Sequence, residues 1–201
     1  MAPEPLEWWR IAAPLAVFAL LGLVCRLRPA PLLQVVWRAC LALVAYGMLQ
    51  DQISVRLCPE YFTVGHRPIA GLRDPTLLGM AWGFLGGMPG GIVLGLPLAL
   101  ACRLGPRPPW PAAALRQPLL LLLLAMAAGT LVAGASAWHN AEIVNIAIGQ
   151  PWAAAIPPAR QRWFFVVASA HLGTYLSAGL WGAGMGGWLL ARRWQQTAIT
   201  T

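Results

Sequence analysis

Between Asp51 and His66 the chain sets two carboxylates (Asp51, Glu60), a thiol (Cys58), a phenol (Tyr61) and an imidazole (His66) within sixteen residues. These groups can hold metal ions or move protons: imidazole and carboxylate are the usual zinc donors, and a positioned His or carboxylate serves as general acid or base. Further along, His139 and Glu142 are three apart and His171 and Tyr175 four apart, spacings that share a face on a helix. Arg56 follows Gln52 by four residues and would face the same way. Asp51, Arg56, Glu60, Tyr61, His66, His139, Glu142, His171 and Tyr175 are therefore the candidate binding residues. No HExxH, CxxC, nucleophile elbow or phosphate loop occurs, and no glycine motif in the strand-to-helix context of a dinucleotide fingerprint. No catalytic residue, metal or cofactor is assigned. The simpler alternative has Glu60, Arg56 and Arg67 pairing with one another while the histidines hydrogen-bond at an interface, because clustered ionisable groups are often structural.

The elements that must position these residues are legible from composition. Of 201 residues 59% are apolar and 10% charged, against about 25% charged in a soluble domain. Five apolar stretches approach the roughly 20 residues that span a bilayer as a helix: Trp8 to Cys25, Pro31 to Leu49, Pro75 to Cys102, Pro118 to Trp138 and Trp163 to Leu190. Ten-residue alternating segments, the mark of a membrane barrel, are absent. The expectation is an all-α, polytopic transmembrane bundle in one domain, residues 1–201, with a four-span core and an N-terminal anchor helix. Loops fall at 50–74, 103–117 and 139–162. The first span reads as a retained anchor rather than a secretory signal, since Glu4 and Glu7 precede it and Arg26 and Arg28 follow.

Charge sorts the two faces. With the N-terminus outside and the C-terminus inside, eight Arg lie on the inner side (Arg26, Arg28, Arg38, Arg103, Arg107, Arg116, Arg192, Arg193), and six Arg with all six acids lie outside. Arg38, two turns into the second span, would snorkel to the inner face. The positive-inside rule supports this orientation weakly, eight Arg against six, and Trp residues at both boundaries fit two interfacial belts. Loops 50–74 and 139–162 then lie outside and the Pro- and Arg-rich 103–117 inside, as an extended connector touching lipid head groups. No folded basic surface for nucleic acid is present. Cys25 and Cys102 fall at the inner boundary, Cys40 within the membrane and Cys58 outside, so no two share the oxidising side and no intramolecular disulfide is expected. Residues 141–148 are too short to span and are expected to lie in the interface as a turn or lid, anchored by Trp152.

Gly79, Gly83, Gly87, Gly91 and Gly95 repeat every fourth residue and form one groove on the third span. Lipid gives no hydrophobic drive between helices, so close approach over small residues holds them together. The fourth span offers a matching ridge at Ala125, Gly129, Ala133 and Ala137, and the fifth offers Ser169, Gly173 and Ser177. A transporter reading would unwind Gly86 to Gly91 around Pro89 to free backbone groups. The packing reading is preferred, because the glycine spacing requires helical phase to continue through Pro89.

The segment Asp51-Gln52, Arg56-x-Cys58-x-Glu60-Tyr61-Phe62-Thr63-x-Gly65-His66 resembles one found just after a membrane helix in a group of small bacterial membrane proteins. The likeness continues weakly at Asp74-Pro75-Thr76-Leu77-Leu78, Trp82-Gly83 and Ala170-His171 with Tyr175. It implies a multi-pass protein of the bacterial inner, cytoplasmic membrane and adds no activity. Gln50 stands where that group leads one to expect His, and Arg67 separates His66 from Pro68.

Three function classes remain. The favoured one is a membrane binding or assembly module that docks a protein partner or lipid through its outer loop. The others are a membrane-embedded enzyme, metal-assisted in one version, and a small transporter or channel subunit. Among intramembrane ionisable groups, each a functional hypothesis by default, His171 stands out: flanked by Ser169, Thr174 and Tyr175 it could close a polar pocket beneath the loop.

Overall fold

A computed structural model describes residues 7–28, 30–103, 108–140 and 152–195. The elements are α1 (Trp9–Leu27), α2 (Pro31–Leu57), α3 (Pro59–Thr63), α4 (Pro75–Arg103), a 3-10 turn (Ala112–Leu115), α5 (Arg116–His139), α6 (Trp152–Ala155) and α7 (Pro158–Gln195), with no strand among the described residues. Five of the helices are long and apolar enough to cross a membrane, consistent with a multi-pass membrane protein.

Proline sets most of the helix starts. Pro31, Pro59, Pro75 and Pro158 each occupy the first position of a helix, where the missing N–H is no loss. Asp74 adds a cap at α4, its Oδ1 accepting from the Leu77 N–H at 2.8 Å. The expected boundaries need three corrections. Helix α2 runs two turns past Leu49 to Leu57, so the first eight residues of the expected loop 50–74 are helical; their backbone bonds are internal to the helix, and apolarity is not required for them to form. Pro59 then stops α2, since the residue before a proline leaves helical geometry. Helix α5 starts at Arg116, and α7 extends five residues beyond the expected span at each end. At about 57 Å for its 38 residues, α7 must project past a hydrocarbon core about 30 Å thick.

Packing divides the core into two antiparallel hairpins. In the first, α4 lays its entire glycine ridge on α2. A Cβ at Gly83 would stand 2.5 Å from the Gly47 carbonyl carbon, one at Gly87 2.6 Å from the Leu43 oxygen, one at Gly79 2.9 Å from the Asp51 oxygen and one at Gly95 3.0 Å from the Val36 Cα. Gly91 faces Cys40 in the same row. Helical phase does continue through Pro89. The partner of this ridge, however, is α2 and not the fourth span. Residues Ala125 to Ala137 were the expected match, but Gly129 and Ala133 of α5 close on Gly173 and Ser177 of α7 instead, forming the second hairpin. Small residues mark a close seam without naming the neighbour, which accounts for the misassignment.

Helix α1 is peripheral. Ile11 is its one buried residue, and Phe18 rests on Trp37 of α2 (centroids 4.6 Å) and on the edge of Phe84 of α4 (5.4 Å). The antiparallel order also sorts charge. At the end where α2 and α5 begin lie Arg26, Arg28, Arg103, Arg116, Arg192 and Arg193, while every described carboxylate (Glu7, Asp51, Glu60, Asp74) belongs to the opposite end.

Candidate functional site

The two hairpins meet around an ion-capable pair. Asp51, on the helical extension of α2, reaches His171, between three and four turns along α7, with Nε2 and Oδ1 2.8 Å apart. Both residues are 6% exposed. His171 Nδ1 lies 2.8 Å from the Val167 carbonyl oxygen, and an acceptor there requires Nδ1 to carry a proton. One further proton must therefore lie in the contact with Asp51. It sits on Nε2, making an imidazolium and carboxylate, or on Oδ1, making a neutral acid that donates to imidazole. In either arrangement the pair is neutral as a unit.

Helix α3 roofs this pair. Tyr61 lays its ring over His171 (centroids 4.6 Å, 32° between planes) and meets the edge of His66 (4.7 Å). His66 in turn packs on Trp82 of α4 at 4.6 Å, and its Nδ1 donates to the Tyr61 carbonyl at 2.8 Å. Its Nε2 is thereby left as an acceptor. Burial pushes the Tyr61 hydroxyl up, helped by Tyr175 and Asp51, and burial holds the His66 imidazole below its ordinary value of 6.5 despite the Tyr61 carbonyl. A neutral His66 favours the closed roof above that ordinary value, and the contribution is lost as pH falls below it.

The roof is fastened by a residue that sequence reasoning missed. Glu60 pairs with Arg160 at the start of α7, Nε to Oε1 at 3.0 Å and Nη2 to Oε2 at 3.2 Å, while the same guanidinium donates to the Leu57 carbonyl at 2.7 Å. The expected grouping of Glu60 with Arg56 and Arg67 does not form. Arg56 instead donates to the Gln52 carbonyl and side-chain oxygen and to Thr76 Oγ1, bracing α2 against the start of α4. Arg160 lies 100 positions from Glu60, a separation at which no sequence pattern is readable. Burial works to raise the Glu60 carboxyl, but the hydrogen bonds from Arg160, its own backbone and Cys58 outweigh it and hold it below the usual carboxylate range. The Cys58 thiol, fully buried and donating to Glu60 Oε2 at 3.2 Å, is pushed up by burial and then by that bond to about 12.

Thiolate is the form that alkylates, so Cys58 should resist maleimide at pH 8. Glu60→Ala removes the acceptor and unfastens the roof, and peptide mass spectrometry should then show Cys58 labelling at least roughly tenfold faster. Equal rates would mean that Glu60 neither shields nor holds the thiol.

A second polar chain crosses between the hairpins one turn away. Tyr46 Oη and Thr130 Oγ1 are 2.8 Å apart, Thr130 and Thr174 Oγ1 2.6 Å, and Thr174 Oγ1 lies 3.0 Å from the Gln50 side chain. Each threonine also has its own helix's carbonyl within reach, at Met126 and Ala170.

Two cavities adjoin the pair. One, of about 120 Å³, lies under the roof between Tyr61, Phe62, His66 and Trp82; the other, of about 210 Å³, descends between the hairpins past Tyr46, Gln50 and Thr174 toward Met126. Asp51, Trp82, Gly86, His171 and Tyr175 line both. In the sequence Trp82 stands out only through the resemblance at Trp82-Gly83, yet its Nε1–H is buried with no partner among the described residues. The described hydrogen bonds engage only Oδ1 of Asp51 and only Nδ1 of His66.

Of the expected site residues, the structure thus gathers Asp51, Tyr61, His66, His171 and Tyr175. Glu60 acts beside them as a fastener. Arg56 is directed to α4, and His139 is exposed at the end of α5. Glu142 and the expected lid at 141–148 lie outside the described residues. Among the described residues no three His, Cys, Asp or Glu side chains are grouped to hold a metal, and His171 already engages both ring nitrogens. Compared with known protein families, curated proteins and solved structures, the chain matches none.

Proposed function

We propose that the chain is a membrane binding module whose ligand is a small polar molecule, or the polar end of an amphiphile, seated beside the Asp51 and His171 pair. The outer loop serves as the roof of that chamber, and docking at the loop means closing α3 over the ligand. One observation carries this reading: the Trp82 indole N–H is buried and unpartnered at the wall shared by both cavities. A buried donor left unmade costs about 1–3 kcal/mol, and Asp51 Oδ2 offers an acceptor on the same wall. A ligand with one acceptor and one donor satisfies both, within walls that are otherwise mostly apolar, the usual make-up of a small-molecule site.

Neither alternative gains comparable support. A metal-assisted enzyme would need several donors converging on one point, whereas among the described residues no three such side chains are grouped, and a transporter of the broken-helix kind would need an interruption at Gly86 to Gly91, where α4 is continuous. The roofed end faces outside in this reading, which the small excess of Arg at the opposite end supports, seven of the described Arg against six.

The test is to purify the full chain in mild detergent and identify by mass spectrometry the small molecules extracted from it. A species held near one per chain should fall at least roughly tenfold in Asp51→Asn and in Trp82→Phe, with melting temperature checked for each. Identical extracts from folded wild type and both variants would overturn the proposal.

A further inference from the structure

The larger cavity beside the Asp51 and His171 pair is polar toward one end. Asp51, His171 and Trp82 line its roofed end, and Leu43, Leu94 and Met126 line its depth. From Asp51 to Leu43 on α2, and from His171 to Gly179 on α7, the walls run eight residues, about 12 Å of helix axis. Water gains few partners on hydrocarbon walls, so the deep part suits an apolar occupant.

Glycine shapes that depth. The ridge from Gly79 to Gly95 is accounted for by its contact with α2, whereas Gly86 and Gly90 stand one position off the ridge and meet no backbone. A Cβ at Gly86 would meet only the Tyr175 hydroxyl at 3.7 Å, one at Gly90 only Leu43 Cδ2 at 3.4 Å, and one at Gly179, on α7, nothing within 4 Å. Glycine destabilises a helix interior relative to alanine, and at these three positions no close helix contact offsets that. What they leave is a slot that a larger side chain would fill. Gly86, Tyr175 and Gly179 are exposed, so the slot opens sideways between α4 and α7, the direction of lipid in a membrane.

Charge defines the head. No Arg lines either cavity, and the Asp51 and His171 pair is neutral as a unit, so nothing there compensates an anionic head. The Trp82 Nε1–H is a donor without an acceptor, and Asp51 Oδ2 is an acceptor beside it. Size defines the tail: about 210 Å³ is below the roughly 300–1,000 Å³ of sites for drug-sized ligands, room for one hydrocarbon chain and not for the two of a diacyl lipid.

We propose that the chamber takes a neutral, single-chain amphiphile of the monoacylglycerol class, its carbonyl oxygen accepting from Trp82, its hydroxyl donating to Asp51 Oδ2, and its tail lying over Gly86 and Gly90 toward Met126. The site rests on the chamber binding a polar head, as proposed above, and adds what that head is attached to.

The experiment is photolabelling of the full chain in phosphatidylcholine nanodiscs by a monoacylglycerol with a diazirine at the end of its tail, the labelled peptides being located by mass spectrometry. Saturable labelling should fall around Leu94 and Met126. Excess monodecanoylglycerol should abolish it, and glycerol or decanoate should not. Trp82→Phe at the head, and Gly90→Leu and Gly179→Leu in the slot, should each lower it by roughly a factor of ten, with melting temperature checked for each. Labelling lost in Trp82→Phe but kept in both folded slot variants would overturn the tail's place while leaving the polar chamber standing; labelling kept in Trp82→Phe would count against the chamber itself. Should the slot variants fail to fold, the wild-type map decides: labelling spread evenly over the lipid-facing helices, or equal competition by glycerol or decanoate, would overturn the amphiphile.

Discussion

Asp51→Ala and His171→Ala are each expected to destabilise the folded chain by about 3–5 kcal/mol, because removing one member of a buried, hydrogen-bonded pair strands the other. The double variant should lose little more than either single one. Reversible unfolding in mixed micelles, run as a double-mutant cycle, would give the coupling. Its size bears on where the shared proton sits. Neutral hydrogen bonds between membrane helices couple by about 0.6 kcal/mol on average and 1.7 at most, so a coupling of several kcal/mol marks imidazolium and carboxylate. Both side chains are only 8% exposed, which leaves water little chance to replace the lost partner. Simple additivity of the two single losses would show that the contact is incidental.

Gly83→Leu should be at least as damaging, by a different route. Its Cβ alone would stand 2.5 Å from the Gly47 carbonyl carbon and 2.6 Å from the oxygen, and backbone cannot yield as a flexible side chain can. Overpacking costs typically about 1–3 kcal/mol and more where nothing relaxes, so loss of the monodisperse folded peak on size exclusion is expected. Gly47 lies one turn from Asp51, and the displaced seam should also release whatever the chamber holds. Gly187→Ala is the control: nothing lies within 4 Å of its added methyl, and replacing helical glycine should raise the melting temperature slightly. A folded, ligand-retaining Gly83→Leu would refute the close seam.

The five spans were readable because bilayer thickness imposes a length and a polarity, and both are written locally in the chain. Their ends were less readable. Residues Gln50 to Leu57 look like loop because they are polar, yet they complete α2 and carry Asp51 into the bundle. His171 drew notice as an ionisable group inside a span, whereas its partner sits 120 positions away and was grouped with it only as a member of a pocket. Nothing in either segment announces the pairing, which depends on which helix the glycine row touches. The same holds for Arg160 displacing Arg56 and Arg67 as the mate of Glu60. Local chemistry identifies the ingredients Tyr61, His66, Thr174 and Tyr175; the neighbours Trp82 and Thr130 require the packing.

The division into two hairpins has a consequence for how the chain assembles. Each hairpin is zipped along its length by backbone contact, but an oily flank sliding past another oily flank in lipid meets almost the same surroundings at every offset. What singles out one offset is the set of side-chain bonds at a common depth, Asp51 to His171, Tyr46 to Thr130 and Gln50 to Thr174. They act as a vernier between two smooth rods, so the groups that line the chamber are also those that tell the halves of the molecule where to stop.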